Sequence, residues 1–156
     1  NLGPDQFAWL FIPTVSGLFL GSLAANRMAG KATFGRQVAL GFCFMLSAAG
    51  ANVLYHVFMP PAVPWSVAPM FFYTFGSSLM APTVTLLALD LFPHIRGTVA
   101  SCQSFAVTLL GALVAGVIAP FLSHSVLWLA CGQLAFSLFS LVLWTASRRY
   151  RNARPG

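Results

Sequence analysis

Five apolar runs, each about long enough to cross a lipid bilayer, determine what this chain can fold into. They cover residues 7–25, 38–58, 67–89, 98–121 and 126–146. A bilayer core about 30 Å thick is crossed by about 20 helical residues, at about 1.5 Å each. The segments between the runs are too short to hold a soluble domain. We therefore expect an all-α, polytopic transmembrane helix bundle over residues 1–147 and a basic tail over residues 148–156.

The composition indicates that lipid is the solvent of this chain. Charged residues make up 6% of it, against about a quarter in soluble domains. The net charge of +6 does not indicate a nucleic-acid binder, because the basic residues lie in short groups between apolar runs and form no patch. We expect a lipid bilayer around the protein and no nucleic-acid partner.

The start of the chain and its cysteines carry two further expectations. The chain begins with Asn1 and shows no basic leader with a short apolar core, so we expect a piece of a longer protein. Cys43, Cys102 and Cys131 all fall inside apolar runs, at spacings that do not suggest a metal site. We expect them to be small buried apolar side chains, and we expect no metal and no cofactor.

The basic residues predict the orientation of the helices. Arg27, Lys31 and Arg36 follow the first run, Arg96 follows the third, and Arg148, Arg149, Arg151 and Arg154 lie in the tail. The other two connections contain neither Lys nor Arg. Since successive helices alternate in direction, every positive charge falls on one face, which the positive-inside rule assigns to the cytoplasm. The C-terminus is then cytoplasmic, and the N-terminus lies outside.

The connection DLFPHIRG, residues 90–97, gathers several of the few charged residues. Pro93 and Gly97 are expected to end one helix and release the chain for the next. Thr98 is expected to cap the incoming helix.

Two interpretations of Asp90 are open. It is either a hydrated carboxylate at the membrane edge, paired with Arg96 or Arg27, or a group that carries protons or takes part in gating. Ionisable residues near a membrane core are functional candidates, but Asp90 lies at the end of its apolar run.

Small and polar residues follow one face of three of the runs. The stripes are Thr14, Gly17, Gly21 and Ala25; Thr74, Ser78, Ala81 and Thr85; and Ser101, Ser104, Thr108, Gly111 and Ala115, with Gln103 beside the last. Because apolar surface does not drive helix association in lipid, such a stripe either packs a helix or lines a polar path. Gly17, Gly21, Gly111 and Ala115 are candidates for helix packing.

The middle of the third run favours a path for substrate. Pro82 removes the hydrogen bond that would reach the Ser78 carbonyl, which lipid tolerates only where that carbonyl faces protein or a cavity. The stretch PMFFYTF, which includes Tyr73, suits a loose apolar pocket. The candidate substrate-path residues are Thr14, Tyr73, Thr74, Ser78, Pro82, Thr85, Ser101, Gln103, Ser104 and Thr108. The fifth run is apolar nearly all round and is expected to face lipid.

Three stretches resemble the C-terminal half of major facilitator superfamily transporters, and more narrowly the bicyclomycin/chloramphenicol-type drug exporters. They are GPDQFAWLFIP (3–13), SLAANRMAGK (22–31) and ALDLFPHIRGTVAS (88–101). The second is similar to the loop motif G-x-x-x-D/N-R-x-G-R/K, with Ser22 in place of the first glycine and one extra residue before Gly30.

The resemblance implies that the five runs are helices eight to twelve of a two-half transporter, with about seven helices upstream. Helices eight, ten and eleven would border the cavity. The faces of Gly17/Gly21 and Gly111/Ala115 would pack against the missing N-terminal half and be exposed in this chain. The cytoplasmic gate would contain Asn26, Arg27, Lys31, Asp90, Arg96 and Gly97. The coupling ion would be the proton, with its carboxylate upstream, and the location a bacterial inner membrane.

The predicted function is proton-driven export of amphipathic small molecules by alternating access. An uptake carrier of the same fold, and a truncated membrane protein that does not transport, are the alternatives. An enzyme is not expected, because His56 and His124 are predicted near the outer face and His94 on the cytoplasmic side, so that the three cannot form one site.

Overall fold

The computed structural model describes residues 4–58, 68–118 and 126–152. Helices account for 95% of these residues, and the described part of the chain contains no strand. The five long helices are α1 (Pro4–Met28), α2 (Phe34–Phe58), α3 (Ala68–Leu91), α4 (Arg96–Leu113) and α5 (Val126–Asn152). A 3₁₀ turn, Pro93–Ile95, precedes α4, and a π-helical turn, Val114–Ile118, extends it. The all-α prediction is confirmed.

Four helical segments have the length and apolarity of a membrane span. They are Phe34–Phe58, Ala68–Leu91, Pro93–Val117 and Leu127–Arg149. Helix α1 is long enough, at 25 residues, but is not one of the four. The chain therefore has the helices of an integral membrane protein.

One predicted helix cap was wrong, and the last helix extends beyond the predicted apolar run. Residues 148 and 149, assigned to the tail, are helical and lie inside α5, because nothing in the basic sequence breaks the helix before Asn152. Thr98 does not cap α4: the helix begins at Arg96, and Ile95 occupies the cap position without a side-chain hydrogen bond. The 3₁₀ turn that begins at Pro93 starts the helical winding earlier than Gly97.

The turn between α1 and α2 is formed by the backbone. Gly30 has a φ of 77°, in the left-handed region that glycine adopts without steric cost. The carbonyl of Met28 accepts hydrogen bonds from the amides of Lys31 and Ala32, at 3.0 Å each. The carbonyl of Thr33 then accepts hydrogen bonds from the amides of Arg36 and Gln37 in the first turn of α2. The short basic connection thus reverses the chain.

Helix α3 occupies the middle of the bundle. It packs against α1 on one side and α2 on another, α5 packs on α2, and α4 contacts α3 over a small area. Helices α1 and α3 are parallel, because later residues of α1 contact later residues of α3: Gly17 contacts Phe71, and Gly21 contacts Phe75. Helix α2 is antiparallel to α3, since Gly41 faces Gly76 while the earlier Gln37 bonds Leu79.

From Arg27 onward, the charged side chains that the structure describes lie toward one end of the bundle. Residues 27–36 join α1 to α2, residues 90–96 join α3 to α4, and Arg148 of α5 approaches Gly35 of α2. We call this the basic end, and the other the outer end. The grouping is the one that the positive-inside pattern predicts.

The α2–α3 contact is a close approach of two backbones. A Cβ placed on Gly76 would lie 2.7 Å from the carbonyl oxygen of Gly41, and one on Gly41 would lie 2.8 Å from that of Gly76. Beside it, the Gln37 side chain, 4% exposed, donates to the Leu79 carbonyl at 3.1 Å. Helix association in lipid uses such contacts, because apolar burial contributes little there.

The α1–α3 contact uses the predicted glycine stripe of α1, but against a different partner. Gly17 and Gly21 are buried against Thr74 and Phe75 of α3. The Ser78 hydroxyl donates to the Leu18 carbonyl at 2.8 Å. The expectation that Gly17 and Gly21 are exposed in this chain was therefore wrong, because α3 covers them.

Helix α4 is the least covered element. None of its residues is buried, and no atom lies within 4 Å of a Cβ placed on Gly111. Ala115, in the π-helical turn, is also exposed. The face that carries these two residues is open, so their role in packing stays a prediction.

The cysteine prediction was wrong. Cys43, Cys102 and Cys131 are free and exposed, each on a helix face that no neighbouring helix covers. Large apolar side chains share these outward faces, among them Phe19 and Phe105, each 68% exposed. An outward surface of this kind is suited to contact with lipid chains, where thiols behave as small apolar groups.

Candidate substrate cleft between α3 and α4

Side chains of α3 and α4 line a cleft of about 340 Å³. Its lining residues are Thr85, Ala100, Gln103, Ser104, Val107 and Thr108. Four of these six are candidate substrate-path residues predicted from the polar stripes. Since α4 rises about 1.5 Å per residue, Gln103 lies about 10 Å along the helix from Arg96, within the membrane-spanning length.

A hydrogen bond across the cleft joins the two helices. The Nε2 group of Gln103 donates to Oγ1 of Thr85 at 2.9 Å. The other amide atom, Oε1 of Gln103, is buried and has no hydrogen-bond partner among the described residues. A buried acceptor without a donor is unfavourable, so this oxygen lacks a donor that the described residues do not supply.

Ser104 and Thr108 add two hydroxyls that make no hydrogen bond to any residue that the structure describes. Elsewhere, hydroxyls on exposed helix faces bond their own helix: Thr145 donates to the Val142 carbonyl and Ser147 to that of Trp144. The difference leaves the hydroxyls of α4 available to a ligand or to a further helix.

The chemistry of the cleft is polar and uncharged. It offers one amide oxygen and three hydroxyls, of which that of Thr85 already accepts from Gln103. Ala100 and Val107 form apolar walls. Such a site binds an uncharged group by hydrogen bonds and by apolar contact, and it supplies neither a nucleophile with a base nor metal ligands. Among the described residues there is no cluster of three potential metal ligands.

The other substrate-path candidates lie elsewhere. Thr74 bonds its own helix at the Met70 and Phe71 carbonyls, Ser78 bonds α1, and Thr14 is on α1. Tyr73 accepts a hydrogen bond from Ser137 of α5. Pro82 and Ser101 are exposed outside the cleft lining. Thr74 and Ser78 thus serve helix packing, which was the alternative that their spacing left open.

Pro82 stands within a helix that continues through it, since α3 extends from Ala68 to Leu91. Its ring leaves the Ser78 carbonyl without the usual amide donor. The Gln37 side chain supports the neighbouring carbonyl, that of Leu79. The helix is therefore reinforced by α2 at the point where proline weakens it.

The predicted gate residues surround the basic end. Asp90 and Arg96 form an ion pair at 3.1 Å, with about half of each side chain exposed. Asn26, Arg27 and Lys31 are exposed around the first turn. Gly97, also exposed, is the second residue of α4. Of the two partners considered for Asp90, the structure has Arg96.

We expect Asp90→Asn to change the free energy of unfolding by less than about 1 kcal/mol, because exposed ion pairs are screened by water and salt. Thermal unfolding of the purified protein at low and high salt measures this. A fall in stability well above this range would instead make the pair structural.

A polar cluster at the outer end was not predicted as a unit. Asn52 of α2 donates to Oε1 of Gln133 of α5 at 3.4 Å. Ser137, 1% exposed, donates to the Gln133 carbonyl at 2.8 Å and to the Tyr73 hydroxyl at 3.3 Å. His56 bonds the Asn52 carbonyl. Isolated polar residues such as Asn52 and Gln133 follow no periodic pattern on these mostly apolar helices, so the sequence gives little signal for the cluster.

A wider groove of about 490 Å³ lies between the outer halves of α2 and α3. Phe44, Ala48, Tyr55 and Phe72 are among its lining residues. The hydroxyl of Ser47 in this groove already bonds the Phe44 carbonyl. The groove is therefore mainly apolar and lacks the unpaired hydrogen-bonding groups of the α3–α4 cleft.

Comparison with known proteins adds no further constraint. No protein-family model, characterised protein or solved structure matches this chain.

Proposed function

We propose that the chain forms part of a membrane transporter that exports amphipathic small molecules by alternating access. The observation that carries this proposal is the α3–α4 cleft, in which unpaired hydrogen-bonding atoms lie within membrane-spanning helices. Polar groups inside membrane helices are costly and mark substrate and ion pathways. A purely structural bundle has no need of them at an open face.

The resemblance to major facilitator exporters supplies the mechanism. In such a transporter the cleft lies between two halves, and rocking of one half against the other exposes it to each side of the membrane in turn. Helix α4 has no buried residue, so it presents the cleft to further helices. We propose that the N-terminal half of the same transporter supplies them, and that the basic end faces the cytoplasm of a bacterium.

The substrate class follows from the cleft. No charged side chain lines it, whereas amide and hydroxyl groups face apolar walls. An uncharged, amphipathic molecule with at least one hydrogen-bond donor fits this lining, and the donor would bond Oε1 of Gln103. We propose no enzymatic reaction, since the cleft lacks an activated nucleophile.

We expect Gln103→Leu to reduce transport about tenfold. Leucine keeps the size but removes one or two hydrogen bonds, at about 0.5–1.5 kcal/mol each, and 1.4 kcal/mol is a factor of ten. The assay measures uptake of radiolabelled chloramphenicol into inside-out vesicles that contain the full transporter, with an imposed proton gradient. The same measurement in right-side-out vesicles tests the alternative, an uptake carrier of the same fold.

Thr108→Val tests the same cleft through a hydroxyl without a described partner. We expect the transport rate to fall three- to tenfold, because the variant loses about one hydrogen bond to the substrate. Thr145→Val is the matched control, because Thr145 is exposed on α5 and bonds only its own helix in the described structure. Equal transport by all three variants would overturn the site. Absence of transport in both directions by the parent protein would overturn the function.

A further inference from the structure

Helices α2 and α5 pack side by side and in opposite directions, and we call the line of contact between them the α2–α5 seam. Arg148 approaches Gly35 at the basic end of this seam, and Asn52 bonds Gln133 toward the outer end. The apolar spans of the two helices begin and end within one residue of Gly35 and Arg148. The basic end of the seam therefore lies where the apolar spans stop, at the level of lipid headgroups.

The guanidinium of Arg148 lies flat on α2. A Cβ placed on Gly35 would lie 3.2, 3.4 and 3.6 Å from Nη2, Cζ and Nη1 of Arg148. Three such similar distances place that point over the face of the group and not at its edge. Because the N–H groups of a guanidinium lie in its plane, they are directed past the glycine and not into it. The missing side chain at residue 35 thus makes room for the charged group.

The positive charge at this end of the seam has no described counter-charge. Arg36 follows Gly35 on α2, Arg149 follows Arg148 on α5, and all three arginines are exposed. None of the three forms a hydrogen bond or an ion pair with a residue that the structure describes. The carboxylate described at the basic end is that of residue 90, which already pairs with residue 96. The seam is therefore open to an anion.

We propose that the basic end of the α2–α5 seam binds the headgroup of an anionic phospholipid. The phosphodiester oxygens accept hydrogen bonds from the in-plane N–H groups of Arg148, while Arg36 and Arg149 add positive charge. A guanidinium matches two phosphate oxygens at once, which a lysine cannot do. Basic sites between membrane helices on the cytoplasmic side bind such headgroups.

The position of the site favours a lipid over a free phosphate. Large apolar side chains of α5 continue from Arg148 into the apolar span, and Leu143 and Phe139 are 54% and 63% exposed. Phe139 lies nine residues before Arg148, about 13 Å along the helix. An acyl chain below a headgroup at Arg148 contacts these side chains, whereas inorganic phosphate uses none of them. The site does not depend on the proposed transport function.

The first test titrates the full protein, in micelles of a neutral detergent, with dioleoyl phosphatidylglycerol and counts bound lipid by native mass spectrometry. Phosphatidylcholine with the same chains is the matched lipid without net charge. We expect phosphatidylglycerol to bind at least about tenfold more tightly, as for a hydrogen bond to a charged group. Equal affinities for the two lipids would overturn the proposal. Inorganic phosphate that binds as tightly as phosphatidylglycerol would make the ligand a free anion and overturn the lipid assignment.

Arg148→Gln separates a site from a general attraction of the basic end. We expect this variant to bind phosphatidylglycerol about tenfold more weakly, because it loses the charge and the paired donors. Arg27→Gln is the control: it removes the same charge from α1, which packs against α3. At physiological salt, charges more than about 8 Å apart are largely screened, so we expect the control to retain the parental affinity within about twofold. Equal weakening by the two variants would overturn the site.

Gly35→Leu displaces the guanidinium without changing the net charge. The atoms that a side chain at residue 35 meets are the far end of Arg148, which can move aside, so we expect the variant to fold. We expect its affinity for phosphatidylglycerol to fall at least threefold. Gly97→Leu, also at the basic end, is the control, since a Cβ there has no atom within 4 Å. Parental affinity in folded Gly35→Leu would contradict the proposal; if that variant does not fold, Arg148→Gln decides.

Discussion

Gly76→Leu is expected to prevent α2 and α3 from packing and to reduce the folded fraction of the protein to a minor one. A Cβ at this position would lie 2.7 Å from the Gly41 carbonyl oxygen and 2.9 Å from the Phe44 Cβ atom. The first of these is a backbone atom, so the helices themselves must separate. Overpacking costs about 1–3 kcal/mol where side chains can adjust, and we expect at least the upper value here. That is a large share of the stability of a typical domain.

Thermal unfolding of the purified protein, followed by size-exclusion chromatography, measures this loss. Gly50→Leu is the matched control, because Gly50 is in α2 and a Cβ there has no atom within 4 Å. We expect it to unfold at or above the parental temperature, since leucine is the better helix former. Similar behaviour of the two variants would mean that the close approach of Gly41 and Gly76 does not hold the helices together.

Gly21→Leu is expected to release α1 from α3 while α2 and α3 stay packed. A Cβ on Gly21 would collide with the Phe75 carbonyl and lie 3.0 Å from the Ser78 Cβ atom. Separation would also break the hydrogen bond from Ser78 to the Leu18 carbonyl, worth about 0.6 kcal/mol in a membrane. The loss is then local to one helix pair.

The release of α1 is measured by thiol labelling. With the native cysteines replaced by alanine, Thr74→Cys places a thiol at the α1–α3 contact, and we expect Gly21→Leu to raise its labelling rate by N-ethylmaleimide about tenfold, or 1.4 kcal/mol of opening. Ser22→Leu, on the exposed face of α1 one residue along, is the control. Equal labelling rates in both variants would contradict the parallel α1–α3 packing.

The helices and their alternation were predictable because lipid leaves the backbone few alternatives. Every amide must be bonded within its own segment, so apolar runs of the right length become helices. The ends were less predictable: basic residues at 148 and 149 signal a membrane boundary, but helix α5 continues past them to Asn152.

The partners of the helix faces could not be predicted from one sequence. Spacing shows that Gly17 and Gly21 share a face of α1, but it does not show which helix covers that face. In the structure, α3 covers it. Gly41 and Gly76 are isolated glycines without a repeating pattern, yet the backbones of α2 and α3 approach closely at these two residues. Periodicity gives a direction on one helix, whereas a contact needs the geometry of two.

The candidate cleft was partly predictable for the same reason. Thr85, Gln103, Ser104 and Thr108 follow from polar stripes, but so do Thr74 and Ser78, which the structure uses for packing and local bonding. The outer cluster of Asn52, Gln133 and Ser137 depends on single polar residues of two helices meeting. No one-dimensional pattern reports such a meeting.

The slight attachment of α4 bears on how this chain is made. During synthesis, α1, α2 and α3 can associate as soon as α3 has entered the bilayer, and α5 later returns to α2. Among the described residues, α4 enters with its hydroxyls uncovered and is held mainly by α3, through Thr85 and the Asp90–Arg96 pair. A polar face that stays uncovered in lipid during this interval is unfavourable, so α4 is the helix whose insertion we expect to be least efficient.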